Sequence, residues 1–438
     1  MLPEKIESMI LRLNSAGFEA YAVGGCVRDR LLGLEPHDYD ICTFALPEQT
    51  KAVFSEEKVV ETGLKHGTVT VIWDNEPIEI TTFRTDGEYK DGRHPESVTF
   101  TADIREDLSR RDFTVNAMAY SGKSGVVDLF GGQEDLRNKI IRCVGDPVKR
   151  FEEDALRILR CLRFCSVYGF NCEENTAKAV HDCKELLKNV SAERVLSELQ
   201  RLLCGNCGYV LREFYDVFAQ IIPEIADCYG FLQHSRYHDR DVWEHIVSSV
   251  ENAPPVFSLR FTMLLHDLGK PSCCKIENGV GHFKGHAVVS TAIARRVVDK
   301  LHCDSLNAEK ICFLVEKHDV PMTDEPKLIK RQLNKFGVDN YFDLLQVHTA
   351  DDMAKAPQYR GRIKIYNNAR EIARKIIEEN DCFSLKKLAV NGNDMISAGY
   401  IGAEIGKALQ MLLEAVIDGK CENNRENLLK YLEWNEKE

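Results

Sequence analysis

Residues 20–43 read AYAVGGCVRDRLLGLEPHDYDICT, and this stretch determines how the first part of the chain is built. An aromatic and β-branched run ends in two glycines, and a second run follows the acidic pair at residues 38 and 40. This order predicts a strand, a tight glycine turn and another strand over residues 38–41. Runs at residues 68–73 and 78–84 predict two more strands, so residues 1–140 are expected to form a mixed helix-and-sheet head.

The composition is typical of a soluble globular protein. The chain has 438 residues, of which 44% are hydrophobic and 29% charged, which excludes a fibrous or mostly disordered chain. No run approaches the ~18 consecutive apolar residues of a membrane span. Residues 1–17 predict a surface helix rather than an export signal. We therefore expect a cytoplasmic protein without membrane contact, in which the 16 cysteines are reduced.

The charge balance is acidic, with 57 basic and 69 acidic residues and a net charge of −12. A nucleic-acid partner must therefore be held by local basic patches rather than by bulk charge. Two basic stretches, residues 327–335 and 359–366, are candidates. Such a stretch is more often a solvated helix face.

The sequence pattern becomes helical after Gly145. Residues 151–164 carry apolar positions at helical spacing, and the pattern remains helical to the end of the chain. We find no internal repeat. The predicted domains are a head over residues 1–140, a helical neck over 141–220, a third domain over 221–360 and a helical tail over 361–438.

The acidic pair and the glycine turn suggest metal and phosphate chemistry. Asp38 and Asp40 are two apart, so on a strand both carboxylates share one face, and such oxygen ligands suit Mg²⁺. At the glycine turn, backbone N–H groups near Gly25 and the guanidinium of Arg28 suit phosphate oxygens. The alternative for each is an ordinary surface position. Glu79, on another predicted strand, is either a third metal carboxylate or a solvated edge residue.

Four motifs occur in a defined order: GGCVRD at residues 24–29, DYD at 38–40, RRDFTVNA at 110–117 and EDALR at 153–157. Over residues 20–200 the sequence resembles the bacterial tRNA nucleotidyltransferase and poly(A) polymerase family. The resemblance implies an α+β fold, with a polymerase-β-like head followed by an all-helical neck, body and tail. It implies CCA addition, in which CMP and AMP from CTP and ATP are transferred to the tRNA 3′ end and pyrophosphate is released.

The same resemblance implies which residues form the active site. Asp38 and Asp40 are expected to be catalytic and to hold Mg²⁺. Glu153 is expected to orient its neighbours, and the polar segment at 86–95 favours complete CCA addition over CC addition. The expected nucleotide-binding residues are Gly25, Arg28, Arg111, Glu153, Asp154, Arg157, Arg160 and Arg163.

Donor and acceptor chemistry explains how one residue pair could select C and A. Asp154 and Arg157 are three apart and therefore neighbours on a helix. Aspartate only accepts hydrogen bonds and arginine only donates them. Cytosine and adenine each present an amino donor beside a ring acceptor, whereas guanine and uracil present the reverse order and would leave buried groups unpaired. The alternative is a surface ion pair.

A second set of residues resembles the HD-domain metal phosphohydrolases. The ligand set of those enzymes corresponds here to His245, His266, Asp267 and Asp351. Imidazole and carboxylate ligands suit Mn²⁺, Ni²⁺, Fe²⁺ or Zn²⁺. The resemblance implies hydrolysis of 2′,3′-cyclic phosphates or 2′-phosphates at RNA ends, and a second metal or a substrate role for His286 and His318.

Two other functions remain open at this point. One is a poly(A) polymerase of the same family, whose product would keep growing. The other is an HD phosphohydrolase whose head only binds RNA, against which the intact acidic and Arg-Arg-Asp motifs argue.

Overall fold

The computed structural model describes residues 2–87, 89, 96–235 and 240–435. The chain divides into two compact units, residues 1–223 and 224–438. Most of the predicted polar segment, residues 88 and 90–95, lies outside the described residues. The finer division into head, neck, third domain and tail stays a prediction.

The first unit combines helices and strands. Its helices are α1 Glu4–Ser15, α2 Gly25–Leu31, α3 Pro47–Val53, α4 Ile104–Ser109, α5 Gly132–Asn138, α6 Pro147–Glu153, α7 Leu156–Tyr168, α8 Glu174–Asp182, α9 Ala192–Leu203, α10 Gly208–Glu213 and α11 Tyr215–Phe218. Its strands are β1 Ala20–Val23, β2 Asp40–Thr43, β3 Lys58–Gly63, β4 Thr68–Trp73, β5 Glu76–Thr82, β6 Arg84–Asp86, β7 Val98–Phe100, β8 Met118–Ser121, β9 Gly125–Asp128, β10 Ile140–Ile141 and β11 Asn171–Cys172.

Seven strands form one sheet in the order β3-β4-β5-β2-β1-β8-β9. β2 runs parallel to β5 and antiparallel to β1. All four residues of β1 are buried, and a cluster that includes Tyr21, Cys42, Phe83 and Leu108 packs around this part of the sheet. The acidic end of β2 therefore starts from a rigid, buried scaffold.

The chain departs from two of the predicted elements. The predicted strand at 38–41 begins only at Asp40 and extends to Thr43. The predicted helix over 151–164 is interrupted at Asp154, whose backbone is extended with φ −147° and ψ 103°. The Asp154 carboxylate accepts the backbone N–H of Leu156 at 3.0 Å. Aspartate is a strong helix cap, so its side chain begins a new helix instead of continuing the old one.

The second unit is mainly helical. Its helices are α12 Glu224–Cys228, α13 Val242–Asn252, α14 Phe257–Leu265, α15 Lys270–Cys273, α16 His286–Lys300, α17 Ser305–Lys317, α18 Pro326–Phe336, α19 Val338–Ala354, α20 Ile363–Glu378, α21 Gly392–Ser397, α22 Ala403–Ile417 and α23 Arg425–Asn435. α13, α14, α17 and α19 pack together, with Trp243 and Tyr341 fully buried. No helix in the described part of the chain is long and apolar enough to cross a membrane.

The expectation of a purely helical pattern after residue 145 is wrong at two places. β10 pairs with β11 in the first unit, and a hairpin of β12 Lys275–Glu277 and β13 Val280–His282 interrupts the second. Asn278 and Gly279 connect the hairpin with φ values of 52° and 78°. Two residues with positive φ form the turn that best matches strand twist, so this Asn-Gly pair favours a hairpin over a helix.

Candidate functional site

Three carboxylates lie at the start of β2 in the first unit. Asp40 is the first residue of β2 and lies opposite Glu79 of β5 in the parallel register, so both side chains share one face of the sheet. Asp38 precedes the strand by two residues. Partial dehydration and the charges of Asp38 and Glu79 raise the pKa of Asp40 to about 6. Dehydration is the larger cause and repulsion between the acids adds to it, and a bound cation would relieve that repulsion.

The glycine turn brings Arg111 to this site. Gly24 has a φ of +81°, and a Cβ at this position would lie 2.8 Å from Nη1 of Arg111. Arg111 lowers the pKa of Asp40, in opposition to the neighbouring acids, so its guanidinium faces the carboxylates. Its Nη2 lies 3.5 Å from Oδ2 of Asp107, while its Nε is buried without a hydrogen-bond partner among the described residues. Donors of Arg111 thus remain without a protein acceptor in the described part of the chain.

Arg28 is held firmly at the same turn. Its Nη1 donates to Oδ1 of Asn116 at 2.5 Å, and its Nε donates to Oδ1 of Asp29 at 2.9 Å. Its guanidinium lies 4.8 Å from the ring centre of Tyr168. A Cβ on Gly25 would lie 3.4 Å from Nη2 of Arg28, so this small residue allows the guanidinium to approach the turn closely.

Residues 110–112 connect the glycine turn to α7. Asp112 accepts hydrogen bonds from Arg160, at 3.0 Å from Nε and 2.6 Å from Nη2. The backbone oxygen of Arg110 accepts from Nη2 of Arg157 at 3.3 Å. Burial alone would raise the pKa of Asp112, but Arg160 and the amide of Asn116 lower it to about 2. This carboxylate therefore remains ionised and fixes α7 to the head.

The predicted selectivity pair lies at the beginning of α7. Arg157 donates from Nη1 to Oε2 of Glu153 at 2.5 Å, and Oδ2 of Asp154 accepts from Nη2 of Arg194 at 2.8 Å. Asp154 is not inside a helix, as the spacing argument assumed, but caps one. Arg194 was not predicted from the sequence, because this residue lies forty positions further on in α9 and carries no local signal.

Arg163 has a different environment from Arg160, although both are on α7. It is buried, forms an ion pair with Glu198 of α9, and lies 4.0 Å from the ring centre of Phe164. These contacts join α7 to α9. A nucleotide contact for Arg163 stays a prediction.

The second unit brings four predicted HD ligands to one point. His245 comes from α13, His266 and Asp267 follow α14, and Asp351 comes from α19. One donor atom from each lies within 4.8 Å of the others. Nε2 of His245 is 3.0 Å from Oδ1 of Asp351 and 3.2 Å from Oδ2 of Asp267. Three helices therefore assemble a site that no local segment contains.

The chemistry of these donors fits a metal ion. Nδ1 of His266 donates to the backbone oxygen of Met263 at 2.7 Å, which directs Nε2 to the centre, as in metal-binding histidines. Nε2 of His266 is buried and has no hydrogen-bond partner among the described residues. It lies 3.2 Å from Oδ2 of Asp267, which also contacts Nζ of Lys270 at 2.6 Å. Without a cation or an added proton, the lone pairs of the imidazole nitrogen and the carboxylate oxygen would repel each other.

His286 and His318 extend the centre on the other side of Asp267. Each donates its Nδ1 hydrogen to a backbone oxygen, at 2.9 Å and 2.7 Å, and their Nε2 atoms lie 3.1 Å apart. Nε2 of His286 is also 3.3 Å from Oδ1 of Asp267. The Asp267 carboxylate thus faces two groups of ligands through its two oxygens, which fits a second cation.

A cavity of about 420 Å³ opens beside this centre. Cations on its wall include Lys270, Lys355 and Arg362. Nζ of Lys355 contacts Oδ2 of Asp351 at 2.7 Å, and Nζ of Lys270 contacts Oδ2 of Asp267 at 2.6 Å. Acidic metal ligands and surrounding cations together suit a phosphate ester.

The basic stretch at residues 327–335 carries less free charge than its composition suggests. Within residues 327–335, Lys330 lies 2.7 Å from Asp381 and Arg331 lies 2.6 Å from Asp418. Both ion pairs reduce the positive charge that this stretch can offer to RNA.

Three family models match successive parts of the chain. The poly A polymerase head domain matches residues 20–142, the probable RNA- and SrmB-binding site of polymerase A matches 169–228, and the putative tRNA nucleotidyltransferase domain 2 matches 286–432. The CCA-adding enzyme of Lactobacillus helveticus is 34% identical over 98% of this chain and 96% of its own length. That of Limosilactobacillus fermentum is 46% identical with the same coverage. The chain belongs to the CCA-adding enzyme family.

Solved structures of CCA-adding enzymes share the fold. The Bacillus stearothermophilus CCA-adding enzyme in complex with CTP superposes with a TM-score of 0.72 and 29% identity, over 100% of this chain and 98% of that one. The Thermotoga maritima CCA-adding enzyme complexed with tRNA has a TM-score of 0.63 at 21% identity, covering 98% and 96% of the two chains, and supports the fold alone. The expected polymerase-β-like head is confirmed.

The family match does not extend to all of the HD centre. The three matched ranges leave residues 229–285 uncovered, and this interval contains His245, His266 and Asp267. The three family models therefore do not test these ligands.

Proposed function

We propose that the chain transfers CMP and AMP from CTP and ATP to the 3′ end of tRNA and releases pyrophosphate. One observation carries this proposal: residues 110–112 contact both the glycine turn, through Arg111, and the selectivity helix, through Arg157 and Arg160. A single nucleotide could therefore meet the acids, the phosphate-binding turn and the base-selecting pair. The CCA-adding relatives and the relative solved with CTP support the same activity.

The acids and arginines have distinct tasks in this proposal. Asp38 and Asp40 would hold Mg²⁺, with Glu79 beside them, and the bound ion would lower the pKa of the attacking hydroxyl and offset charge on the leaving pyrophosphate. Arg28 and Arg111 would donate to the triphosphate oxygens from fixed positions. Arg111 suits such a contact because it has donors without protein acceptors among the described residues.

Base selection follows from the hydrogen bonds that the protein already makes. Arginine has five N–H donors, and three of those on Arg157 have acceptors among the described residues: Glu153, and the backbone oxygens of Arg150 and Arg110. Nε and one N–H of Nη2 remain for N3 of cytosine or N1 of adenine. Asp154, oriented by Arg194, would accept from the amino group of the same base.

The decisive experiment uses tRNA that lacks its three terminal nucleotides. Purified protein, Mg²⁺ and each labelled nucleotide are supplied separately and then together. We expect addition of C, C and A followed by a stop. A product that continues to grow with ATP would identify a poly(A) polymerase. A protein that binds the tRNA but incorporates no label would show that the head only binds RNA.

The convergence of four donor atoms within 4.8 Å, with Nε2 of His266 buried and lacking a hydrogen-bond partner among the described residues, favours a second function, metal-dependent hydrolysis of a phosphate ester. His245, His266, Asp267 and Asp351 would hold a divalent transition metal, which supplies Lewis-acid activation of water. Lys270 and Arg362 would bind the phosphate.

The test incubates the protein with Ni²⁺ or Mn²⁺ and a 2′,3′-cyclic nucleotide. Hydrolysis that disappears in the variant Asp267→Asn supports the function. Absence of hydrolysis with either metal, or hydrolysis unchanged in the variant, contradicts it.

A further inference from the structure

Three cysteines of the first unit meet at a point that the proposed reactions do not use. Cys161 and Cys165 lie on α7, and Cys172 lies on β11. One sulfur from each lies within 4.8 Å of the other two, and the sulfurs of Cys161 and Cys172 are 3.6 Å apart. Cys161 and Cys165 are fully buried, whereas Cys172 retains partial solvent access.

Local structure and tertiary pairing both contribute to this arrangement. Cys161 and Cys165 are four residues apart, so they lie on one face of α7. The helix ends at Gly169, whose φ of +65° reverses the chain. β11 then pairs in parallel with β10, with Cys172 opposite Ile141. This pairing returns the third sulfur to the face of the first two.

We propose that Cys161, Cys165 and Cys172 form a three-thiolate site for a soft closed-shell cation, Zn²⁺ or Cu⁺. Thiolate ligands select these ions over hard cations such as Mg²⁺. A tetrahedral centre with metal–sulfur bonds of about 2.3 Å separates its sulfurs by roughly 3.8 Å. The observed separation of 3.6 Å between Cys161 and Cys172 requires only a small adjustment.

The composition and access of the cluster favour such binding. The three sulfurs lie close together, and metal binding displaces the protons of the thiols. The partial exposure of Cys172 gives the ion a route from solvent. Buried cysteines that only pack as small apolar side chains would show no such affinity.

The position of the cluster also gives the ion a structural role. α7 carries the proposed selectivity residue Arg157 in its first turn and continues through Arg160, which holds Asp112. An ion on Cys161 and Cys165 would tie the following turns of the same helix to β11. The proposal does not depend on the enzyme's activity, because it concerns binding by sulfur alone.

Cadmium is the probe, since Cd²⁺–thiolate bonds absorb in the ultraviolet and the HD centre contains no sulfur. The reduced full-length chain is titrated with CdCl₂, and the absorbance is compared among the wild type, Cys172→Ser and the matched control Cys204→Ser. We expect saturation at about one ion per chain in the wild type and the control, and binding more than about tenfold weaker in Cys172→Ser. Far-ultraviolet circular dichroism confirms that each variant is folded.

Two results would overturn the proposal. One is the absence of a saturable band in the wild type, and the other is an identical titration in folded Cys172→Ser. Zn²⁺ and Cu⁺ are then added separately to the cadmium-loaded protein. Displacement by either ion supports the proposal and identifies that ion as the better ligand, whereas displacement by neither contradicts it.

Discussion

The acidic site of the first unit and the HD centre of the second unit present cation ligands in opposite ways. At the acidic site, Asp40 remains open to solvent, and the charges of its neighbours help to raise its pKa. At the HD centre, His245, His266 and Asp267 are buried. There a backbone oxygen fixes the His266 ring, and the neighbouring cations hold the pKa of Asp267 well below its usual range.

For the proposed metal ions, this difference predicts two modes of binding. Open, mutually repelling carboxylates suit an ion such as Mg²⁺, which keeps part of its water shell and shares its ligands with substrate phosphates. Buried imidazoles, oriented by a second layer of hydrogen bonds, suit an ion that stays in place. We therefore expect the first site to bind its metal with the nucleotide and the HD centre to retain its metal without substrate.

The largest expected effect tests whether the two sites are independent. Asp40→Asn removes a metal carboxylate worth several kcal/mol of charge stabilisation, so CTP incorporation should fall by about a thousandfold or more. Hydrolysis at the HD centre should be unchanged. Both activities are measured on the same preparation.

Glu48→Gln is the matched control, because Glu48 is an exposed acid on α3 of the same unit. This variant should incorporate CTP at the wild-type rate. If a folded Asp40→Asn protein lost both activities, the two sites would not be independent.

The reciprocal variant is Asp267→Asn, which removes a ligand from the buried centre. Affinity for Ni²⁺, measured by calorimetry, should fall by about a hundredfold, while CTP incorporation is retained. Asp339→Asn, an exposed position at the start of α19, serves as the control. Equal Ni²⁺ affinity in both variants would show that Asp267 is not a ligand.

A smaller effect is expected for base selection. Arg157→Ala removes the donor side of the predicted template, so misincorporation of GMP or UMP relative to CMP should rise by about ten- to a hundredfold. Arg150→Ala is the control, since Arg150 also contacts Glu153, at 3.0 Å, but is not a template residue. Unchanged selectivity in Arg157→Ala would contradict the template hypothesis.

The smallest effect is the dependence of stability on pH. The pKa of Asp40 is raised from 3.8 to about 6 in the folded chain, so its ionisation destabilises the fold as pH rises through that interval. Asp40→Asn should therefore be more stable than wild type at pH 7.5 and equally stable near pH 4. Because the group is exposed, the gain should be below about 1 kcal/mol. Chemical denaturation without Mg²⁺ at both pH values measures the free energy of unfolding. A variant less stable than wild type at pH 7.5 would contradict the unfavourable ionisation of Asp40.

Several features could be predicted from local sequence. The strand at residues 68–73 is confirmed as β4, and the glycine turn follows β1 as expected. The hairpin at Asn278 and Gly279 was missed, although the dipeptide itself is a turn signal. The helix break at Asp154 was missed because the apolar spacing on both sides is helical, and only the capping bond to Leu156 shows where one helix ends.

The sequence by itself determined the chemistry of the ligands: two acids at strand spacing, an acid and an arginine three apart, and histidines beside acids. Tertiary structure decided which of them meet. The register of β2 against β5 turned Glu79 from an open question into a neighbour of Asp40, and packing brought Cys172 to Cys161. The reason is physical, since local spacing fixes only which residues share a face, whereas contacts between distant residues depend on how whole elements pack.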